Sequence, residues 1–401
     1  MERLEYVRQD VEDIKLNLNY LALKKLRKLG LILVISLTGL LCFAQETDEE
    51  KELIDIAVQI SNEMYKGNHT YYDDLFFLDS FLNRVNINDP SLKKINKEFN
   101  SGFKSTFAWG KELYKNVKAG GLYEPVSFTS VENSFYVTFS QFGNTGLNYH
   151  EVEFKRIKDA FRIVDVYVYL NGENLSETIR LLYLGVIEQG DKMDNLKPQN
   201  KAYLKDIGTI LDFKTLADSG KFKELNEYLE LTSPEFKQSK LFYNFKIQAL
   251  NGLGDTEGYY QYLRNNSSIG IPSSFLTSID LLYLEKDWDA FQTNLNLLDE
   301  FVGGDPVLNN FRGNGYLFKG DFDNAKKHFQ QVYDDFPDYS YGVIGMVSTA
   351  LEQGNAKDCV NALADLHDRF GFTVTDVENI VAEYPAIRKS ADYKKYIASI
   401  K

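Results

Sequence analysis

The spacing of hydrophobic positions changes part-way through residues 46–190. Apolar side chains first recur every three or four residues, as at Leu53, Ile56 and Ile60, which predicts amphipathic helices up to Lys118. The spacing then becomes two, which predicts β-strands. The strands are expected at residues 126–128, 134–142, 149–157 and 162–170, with a helix at residues 176–189. The connecting turns are short, so the strands should pair as an antiparallel meander.

Helices followed by an antiparallel sheet predict an α+β domain over residues 46–190. This order of elements resembles the cystatin-like and nuclear-transport-factor-2-like folds. That resemblance implies a curled sheet, which in some members encloses a pocket or an active site.

Asp165 is the candidate catalytic residue of this domain. On strict alternation it shares a strand face with Phe161, Ile163, Tyr167 and Tyr169. Burial among aromatic rings would raise the pKa of its carboxyl group and suit it to act as a base. The competing interpretation is a structural carboxylate paired with a nearby Lys or Arg. The sequence offers no identifiable second acid, oxyanion donor or nucleophile to accompany it.

Residues 200–371 carry a repeated pattern of about 34 residues. Its clearest unit is Pro306 to Tyr339, where small, aromatic and turn-forming residues alternate at fixed offsets. These are Gly313, Tyr316, Gly320, Phe322, Ala325, Phe329, Val332 and Pro337. They match the signature positions of the tetratricopeptide repeat, which this unit resembles, although Asn309 and Arg312 depart from the family pattern. Gly313 and Ala325 are expected where two helices cross closely, with Tyr316 and Phe329 filling the gap between them.

Turn residues recur with this unit at Gly220, Gly254, Lys286, Gly320 and Gly354, at steps of 34 residues except for one step of 32 between Gly254 and Lys286. Each lies between two amphipathic segments, so five helical hairpins are predicted over residues 200–371. Such hairpins bury their apolar faces only by stacking, which predicts an all-α superhelical solenoid after the α+β domain. Residues 372–401 are expected to form capping helices.

The resemblance to tetratricopeptide repeats implies that the first helix of each hairpin lines a concave face that binds a partner. The side chains at the corresponding positions are rich in amides and tyrosines. They are Asn244, Gln248, Asn251, Asp280, Tyr283, Asn310, Asn314, Leu317, Tyr341 and Ser348. Asn and Gln amides both donate and accept hydrogen bonds, so they can hold the backbone of an extended peptide. The alternative is that these are ordinary solvated helix residues.

Composition narrows the possible partners. The net charge is −13, which opposes binding to nucleic-acid phosphates. The cysteines are Cys42 and Cys359, and the histidines are His69, His150, His328 and His367, with no spacing typical of a metal site. We therefore expect no metal, no cofactor and no nucleic acid. Cys359 occupies the position of Ala325 one repeat later, which indicates a small core residue.

The N-terminal residues 1–44 resemble a leader with a secretory signal peptide. Basic residues at 24–28 precede an apolar run, Leu29 to Cys42, and Ala44 stands before an acidic stretch. The Ala44–Gln45 junction resembles signal peptides of Bacteroidetes, which implies export to the periplasm, the cell envelope or the exterior. Alternatives are a later translation start, an inner-membrane anchor formed by residues 29–44, and lipidation at Cys42.

Together these patterns predict an exported scaffold or adaptor that holds a protein or peptide. No phosphate-binding loop, dinucleotide fingerprint or hydrolase motif is present in the sequence, so we expect no enzymatic activity. The alternative is a small-molecule-binding or enzymatic first domain that uses the repeats for docking. Contact with a membrane is expected only if the N-terminal segment remains uncleaved.

Overall fold

The structure is a computed structural model that describes residues 48–143, 146–189, 212–237, 240–266 and 273–401. Residues 53–401 form one compact unit. The predicted leader and the junction between the two predicted domains lie outside the described residues.

Helices come before the sheet, as the hydrophobic spacing predicts. They are α1 (Asp48–Tyr65), α2 (Thr70–Asp74), α3 (Leu78–Val85), a 3₁₀ turn (Pro90–Leu92), α4 (Lys93–Thr106) and α5 (Trp109–Lys118). The helical segment that precedes the sheet is interrupted at Phe107, between α4 and α5. Phe107 is extended and its ring packs 4.7 Å from that of Phe76, so core packing sets the break.

The predicted antiparallel meander is confirmed, with strand order β1-β2-β3-β4-β5. The strands are β1 (Leu122–Val131), β2 (Ser134–Gly143), β3 (Gly146–Ile157), β4 (Ala160–Val168) and the short β5 (Glu173–Asn174), followed by helix α6 (Leu175–Gln189). The two-residue β5 was not predicted, because so short a strand has no alternation to detect.

The predicted faces of the fourth strand are wrong in part, because a β-bulge interrupts its alternation. Glu153 pairs with Asp165, but the next residue of β3 pairs with Ile163, so Val164 has no partner of its own. Beyond the bulge Val166 joins the same core as Ile163. The extra residue therefore exchanges the two faces half-way along β4.

The helical half consists of paired helices. They are α7 (residues 212–218), α8 (Phe222–Glu230), the short α9 (Pro234–Lys237), α10 (Lys240–Leu253), α11 (Thr256–Asn266), α12 (Ser273–Glu285), α13 (Trp288–Val302), α14 (Leu308–Lys319), α15 (Phe322–Asp335), α16 (Tyr341–Gln353) and α17 (Ala356–Phe370). Among the described residues, neighbouring helices from α10 to α17 pack against each other in sequence. A helical region compatible with stacked hairpins is therefore present.

Every predicted turn lies between two helices and has a left-handed residue at its centre. The φ angles are 70° at Gly220, 67° at Gly254, 57° at Lys286, 80° at Gly320 and 69° at Gly354. At four of these turns the next residue is Asp or Asn, and its side chain accepts a backbone N–H of the second helix. A left-handed C-cap followed by an N-capping side chain thus closes each of these hairpins.

The signature residues of the repeat meet inside one hairpin. Phe329 and Ala325 are fully buried. A Cβ atom on Gly313 would lie 2.7 Å from the Phe329 ring, and one on Gly345 would lie 2.1 Å from it. Glycine is therefore required at both positions, because the ring occupies the space between α14 and α16.

The sheet lies between two helical layers. One face carries Val137, Phe139 and Phe154 into a core shared with α1–α6. The other face carries Tyr149 and Tyr169 into a core shared with α12, α13 and α14. The sheet and the hairpins are successive in sequence, but in the structure they share a buried boundary.

The C-terminal residues pack against the last hairpin. Helices α18 (Val374–Ile380), α19 (Pro385–Lys389) and α20 (Ala391–Ile400) carry Val377, Ile387 and Tyr393 into one core with α16 and α17. A Thr373–Asp376 capping box begins α18. These helices cover an apolar face that a further hairpin would otherwise cover.

Candidate functional site

Asp165 is 1% exposed and fully engaged in hydrogen bonds. Its Oδ2 accepts from Arg84 Nη1 at 3.0 Å and Ser176 Oγ at 2.5 Å. Its Oδ1 accepts from the backbone N–H groups of Val166 at 2.9 Å and Ser176 at 3.1 Å. Arg84 also binds Glu153 through both of its terminal nitrogens. These contacts support the structural interpretation of Asp165, which joins β4 to the first turn of α6 and to α3.

Part of the predicted binding face lies against the chain's own sheet. The Tyr341 ring packs 4.8 Å from Phe142 of β2, and its hydroxyl is 3.5 Å from the Gly120 carbonyl oxygen. Asn244 donates from Nδ2 to Oδ1 of Asn171 at 3.2 Å. At these positions the first helices of the hairpins therefore already hold an occupant, the α+β domain itself.

Polar contacts join the sheet to the hairpins through Asp305 and Val302. Tyr149 Oη donates to Asp305 Oδ2 at 2.7 Å, and the Val307 N–H donates to Asp305 Oδ1 at 3.0 Å. Burial raises the pKa of Asp305, while both donors oppose that rise. Ser127 Oγ donates to the Val302 carbonyl oxygen at 2.5 Å. These bonds fix the sheet against α13 and α14.

The remaining predicted residues divide between exposed and internally bonded side chains. Gln248 and Asn251 are exposed. Asn314 is half-buried and donates to the Asn310 carbonyl oxygen of its own helix at 3.0 Å. Leu317 is buried, and Ser348 donates to the Ile344 carbonyl oxygen at 3.0 Å. Partner binding by these residues remains a prediction.

An exposed aromatic cluster lies beside the ends of α12 and α14. It consists of Tyr283, Trp288 and Phe318. Trp288 and Phe318 are stacked with ring centroids 5.6 Å apart, and Tyr283 meets them edge-on at 5.8 and 5.2 Å. Tyr283 remains 42% exposed and Phe318 51% exposed. Each ring is held by the other two, so the cluster is a pre-organised apolar surface.

Acidic side chains surround the aromatic cluster. Asp289 is paired with Lys319 at 2.7 Å, and Glu285 is paired with Arg264 at 2.5 Å. Asp280 accepts from Tyr259 Oη at 2.8 Å. Neighbouring protein atoms crowd Asp280, and this desolvation raises its pKa although solvent still reaches it. Within the described ranges, neither Asp280 nor Asp287 forms a salt bridge, so negative charge remains beside the rings.

Tyr283 was predicted from its repeat position, whereas Trp288 and Phe318 were not predicted as binding residues. Trp288 begins α13 immediately after a turn, a position that resembles those of the half-buried Phe222 and Phe322. Phe318 follows the buried Leu317 and corresponds to Glu352 one repeat later. This difference could have indicated the aromatic cluster, because a large aromatic residue stands where the next repeat has an acidic one.

The cysteine and histidine predictions concern packing. Cys359 is fully buried, and burial raises the pKa of its thiol to about 12, which disfavours a reactive thiolate. His328 stacks on Tyr316 with ring centroids 5.4 Å apart. Across the part of the chain that the structure describes, no group of three or more His, Cys, Asp or Glu side chains is placed to hold a metal ion.

No protein-family model, curated protein or solved structure matches the chain. Among the described helices, none has both the length and the hydropathy needed to cross a membrane.

Proposed function

We propose that this protein is an exported scaffold that binds a partner protein through the aromatic cluster of Tyr283, Trp288 and Phe318. The observation that carries this proposal is that the Tyr283 and Phe318 rings are 42% and 51% exposed while the half-buried Trp288 ring holds both in place. Aromatic residues dominate the binding energy of protein interfaces. Rings that are already ordered also lose little side-chain entropy when a partner binds.

Charge defines the partner more closely. Asp280 and Asp287 lie beside the rings without a salt bridge among the described residues. A partner surface with an apolar residue and a Lys or Arg fits both the rings and the carboxylates, because cations also bind favourably over aromatic faces. A nucleic-acid partner is disfavoured by the same charges.

The helical hairpins support the scaffold role. Five turns recur in phase, and the Gly313, Ala325 and Phe329 contacts are those expected of a tetratricopeptide-like hairpin. Such hairpins serve as rigid supports for binding surfaces. The basic and apolar segments of residues 24–44 support assigning the scaffold to the periplasm, the cell envelope or the exterior.

A photo-crosslinking amino acid placed at position 318 tests the proposal in the cells that produce the protein. We expect a discrete crosslinked product that contains one partner protein. The matched control carries the same amino acid in place of Leu231, which is 80% exposed and belongs to a different hairpin. Equal products at both positions, or none at position 318, would contradict the proposal.

Affinity for the purified partner gives the quantitative test. Replacing Tyr283 and Phe318 by Ser should weaken binding at least about tenfold, since truncation of an interface hot spot costs roughly 2 kcal/mol or more. Leu231→Ser should leave the affinity unchanged within about twofold, because most surface changes outside a hot spot are close to neutral. A double variant that binds as tightly as the unmodified protein shows that the aromatic cluster is not the binding surface.

A further inference from the structure

A separate cleft opens between α15, α16 and α17. Its volume is about 240 Å³. Met346, Ala350 and Ala362 supply an apolar floor, and the exposed amides of Gln353 and Asn361 lie on its rim. None of these residues belongs to the aromatic cluster, and the cleft does not depend on the proposed function.

In the preceding hairpin two aromatic rings fill the corresponding space. The residues 34 positions before Ala350 and Ala362 are Tyr316 and His328. Their rings stack almost parallel, at 3° and 5.4 Å between centroids, and they occupy the corresponding place between α14 and α15. Two alanines therefore replace two rings, and the space that the rings would fill remains open.

In the preceding hairpin a long side chain also covers the edge of the corresponding space. Arg312, which lies 34 residues before Met346, is held there by Asp299 at 2.8 Å and Asn296 at 3.2 Å. The shorter and uncharged Met346 makes no such bonds. The hairpin of α16 and α17 is therefore open at its floor and at one wall, whereas the hairpin before it is closed.

The charged groups near the cleft are neutralised by contacts within the protein. Lys326 Nζ lies 2.5 Å from Asp358. Asp365 lies 3.8 Å from Arg369 and also accepts a hydrogen bond from Tyr333 Oη at 2.9 Å. This leaves an apolar floor with neutral amide donors and acceptors above it. A flat apolar ring with one polar group on its edge matches this arrangement, because each amide can either donate to or accept from that group.

We propose that this cleft takes one tyrosine side chain from an extended segment of a partner protein. The ring would lie over Ala350 and Ala362, where the preceding hairpin has its own rings. The hydroxyl group would meet the amides of Gln353 and Asn361.

The direct test is NMR titration of the full chain with p-cresol, the side-chain analogue of tyrosine, using protein labelled at Met and Ala methyl groups. The methyl signals of Met346, Ala350 and Ala362 should shift saturably, with a dissociation constant on the order of 1 mM for so small a ligand. Nuclear Overhauser effects from the ring protons to the Met346 methyl group should locate the bound ring.

Filling the cleft provides the matched variant. In A350Y/A362H the ring pair of the preceding hairpin is rebuilt in place, and p-cresol affinity should fall at least about tenfold. Ala382→Tyr, at an exposed position outside the cleft, is the control and should bind as the unmodified protein does. Far-ultraviolet circular dichroism and the melting temperature show whether each variant is folded.

Each outcome decides the proposal. Absence of Met346 contacts at about 20 mM p-cresol, well above the expected dissociation constant, overturns it even if the filled variant fails to fold. Equal binding by a folded filled variant overturns it as well. Toluene should bind at least about threefold more weakly, because it lacks the hydroxyl group. Toluene binding as tight as that of p-cresol shows that the rim amides play no part and that the tyrosine assignment is wrong.

Discussion

Lys286 shows how a repeat position constrains a single residue. Its φ angle is 57°, and it stands where four other turns have glycine. A side chain with a Cβ atom is destabilised in this backbone region by roughly 1–2 kcal/mol. The hairpin of α12 and α13 therefore closes at an energetic cost that its neighbours avoid.

Lys286→Gly should raise the free energy of unfolding by about 0.5–1 kcal/mol, since relief of the left-handed backbone exceeds the entropy that glycine adds to the unfolded chain. Urea denaturation followed by circular dichroism measures the change. Lys286→Ala is the control for loss of the lysine side chain and should give no comparable gain. A glycine variant that is less stable than the alanine variant contradicts the argument.

His150 is a buried base whose environment favours the neutral form. It is 2% exposed and lies between the rings of Trp109 at 5.8 Å and Tyr123 at 5.7 Å. Its Nε2 is 3.3 Å from Asn148 Nδ2. Burial lowers its pKa from 6.5 to about 3. The unfolded chain therefore binds a proton below pH 6.5 that the folded protein does not bind until near pH 3.

Stability from His150 should be fully present above pH 6.5 and should fall as the pH drops towards 3, by about 1.4 kcal/mol per pH unit. Between pH 7 and pH 5 the protein should lose roughly 2 kcal/mol more than a His150→Gln variant, which cannot bind that proton. Unfolding free energies of both proteins at the two pH values give the comparison. Parallel losses in both proteins would show that His150 is not the group responsible.

Contacts between elements make some glycines necessary for packing. At Gly345 of α16 any Cβ atom meets the fully buried Phe329 ring of α15. Gly345→Ala should therefore destabilise the protein by about 1–3 kcal/mol through overpacking. In a double-mutant cycle, Phe329→Leu should relieve part of that loss, because the smaller side chain leaves room for the new methyl group. Strictly additive losses would show that Phe329 is not the obstacle.

Element type and order could be predicted from the sequence, since they depend on local spacing and turn chemistry. The hairpin turns at Gly320 and Gly354 follow from glycine before Asp or Asn. The bulge at Val164 could not be predicted. With or without the extra residue, β4 places apolar side chains on the buried face. β5 was missed because it is held only by pairing with β4.

The candidate site was less predictable, because it depends on contacts between residues that are distant in the sequence. Tyr283 was found from its repeat position, whereas exposure of Phe318 and Trp288 depends on which other helices cover them. The covering of Tyr341 and Asn244 by the sheet is a contact between distant parts of the chain. The spacing of residues within the sheet or within the hairpins gives no sign of this contact. Some side chains expected on one open face are therefore covered by the α+β domain, and the others are exposed.

At the scale of the whole molecule, the shared boundary between sheet and hairpins predicts cooperative unfolding of residues 53–401. Tyr149 and Tyr169 belong to the same buried core as Leu295 and Leu298 of α13. Separate domains would instead show separate transitions. The chain has two tryptophans, with Trp109 in the α+β half and Trp288 in the hairpins, so each half has its own fluorescent reporter.

The Trp288→Phe and Trp109→Phe variants each keep one tryptophan. Within each variant, the urea midpoint from tryptophan fluorescence should equal the midpoint from circular dichroism. Tyr149→Phe, which leaves the buried Asp305 carboxylate without the Tyr149 hydroxyl, should lower the stability by about 1–3 kcal/mol in both reporter backgrounds. The loss should appear equally in Trp288 fluorescence although Tyr149 lies in the sheet, because the Tyr149–Asp305 bond joins the two halves. If only the Trp109 signal responds, the hairpins fold independently of the sheet, and the partly covered face of α10–α16 is free to open to a partner.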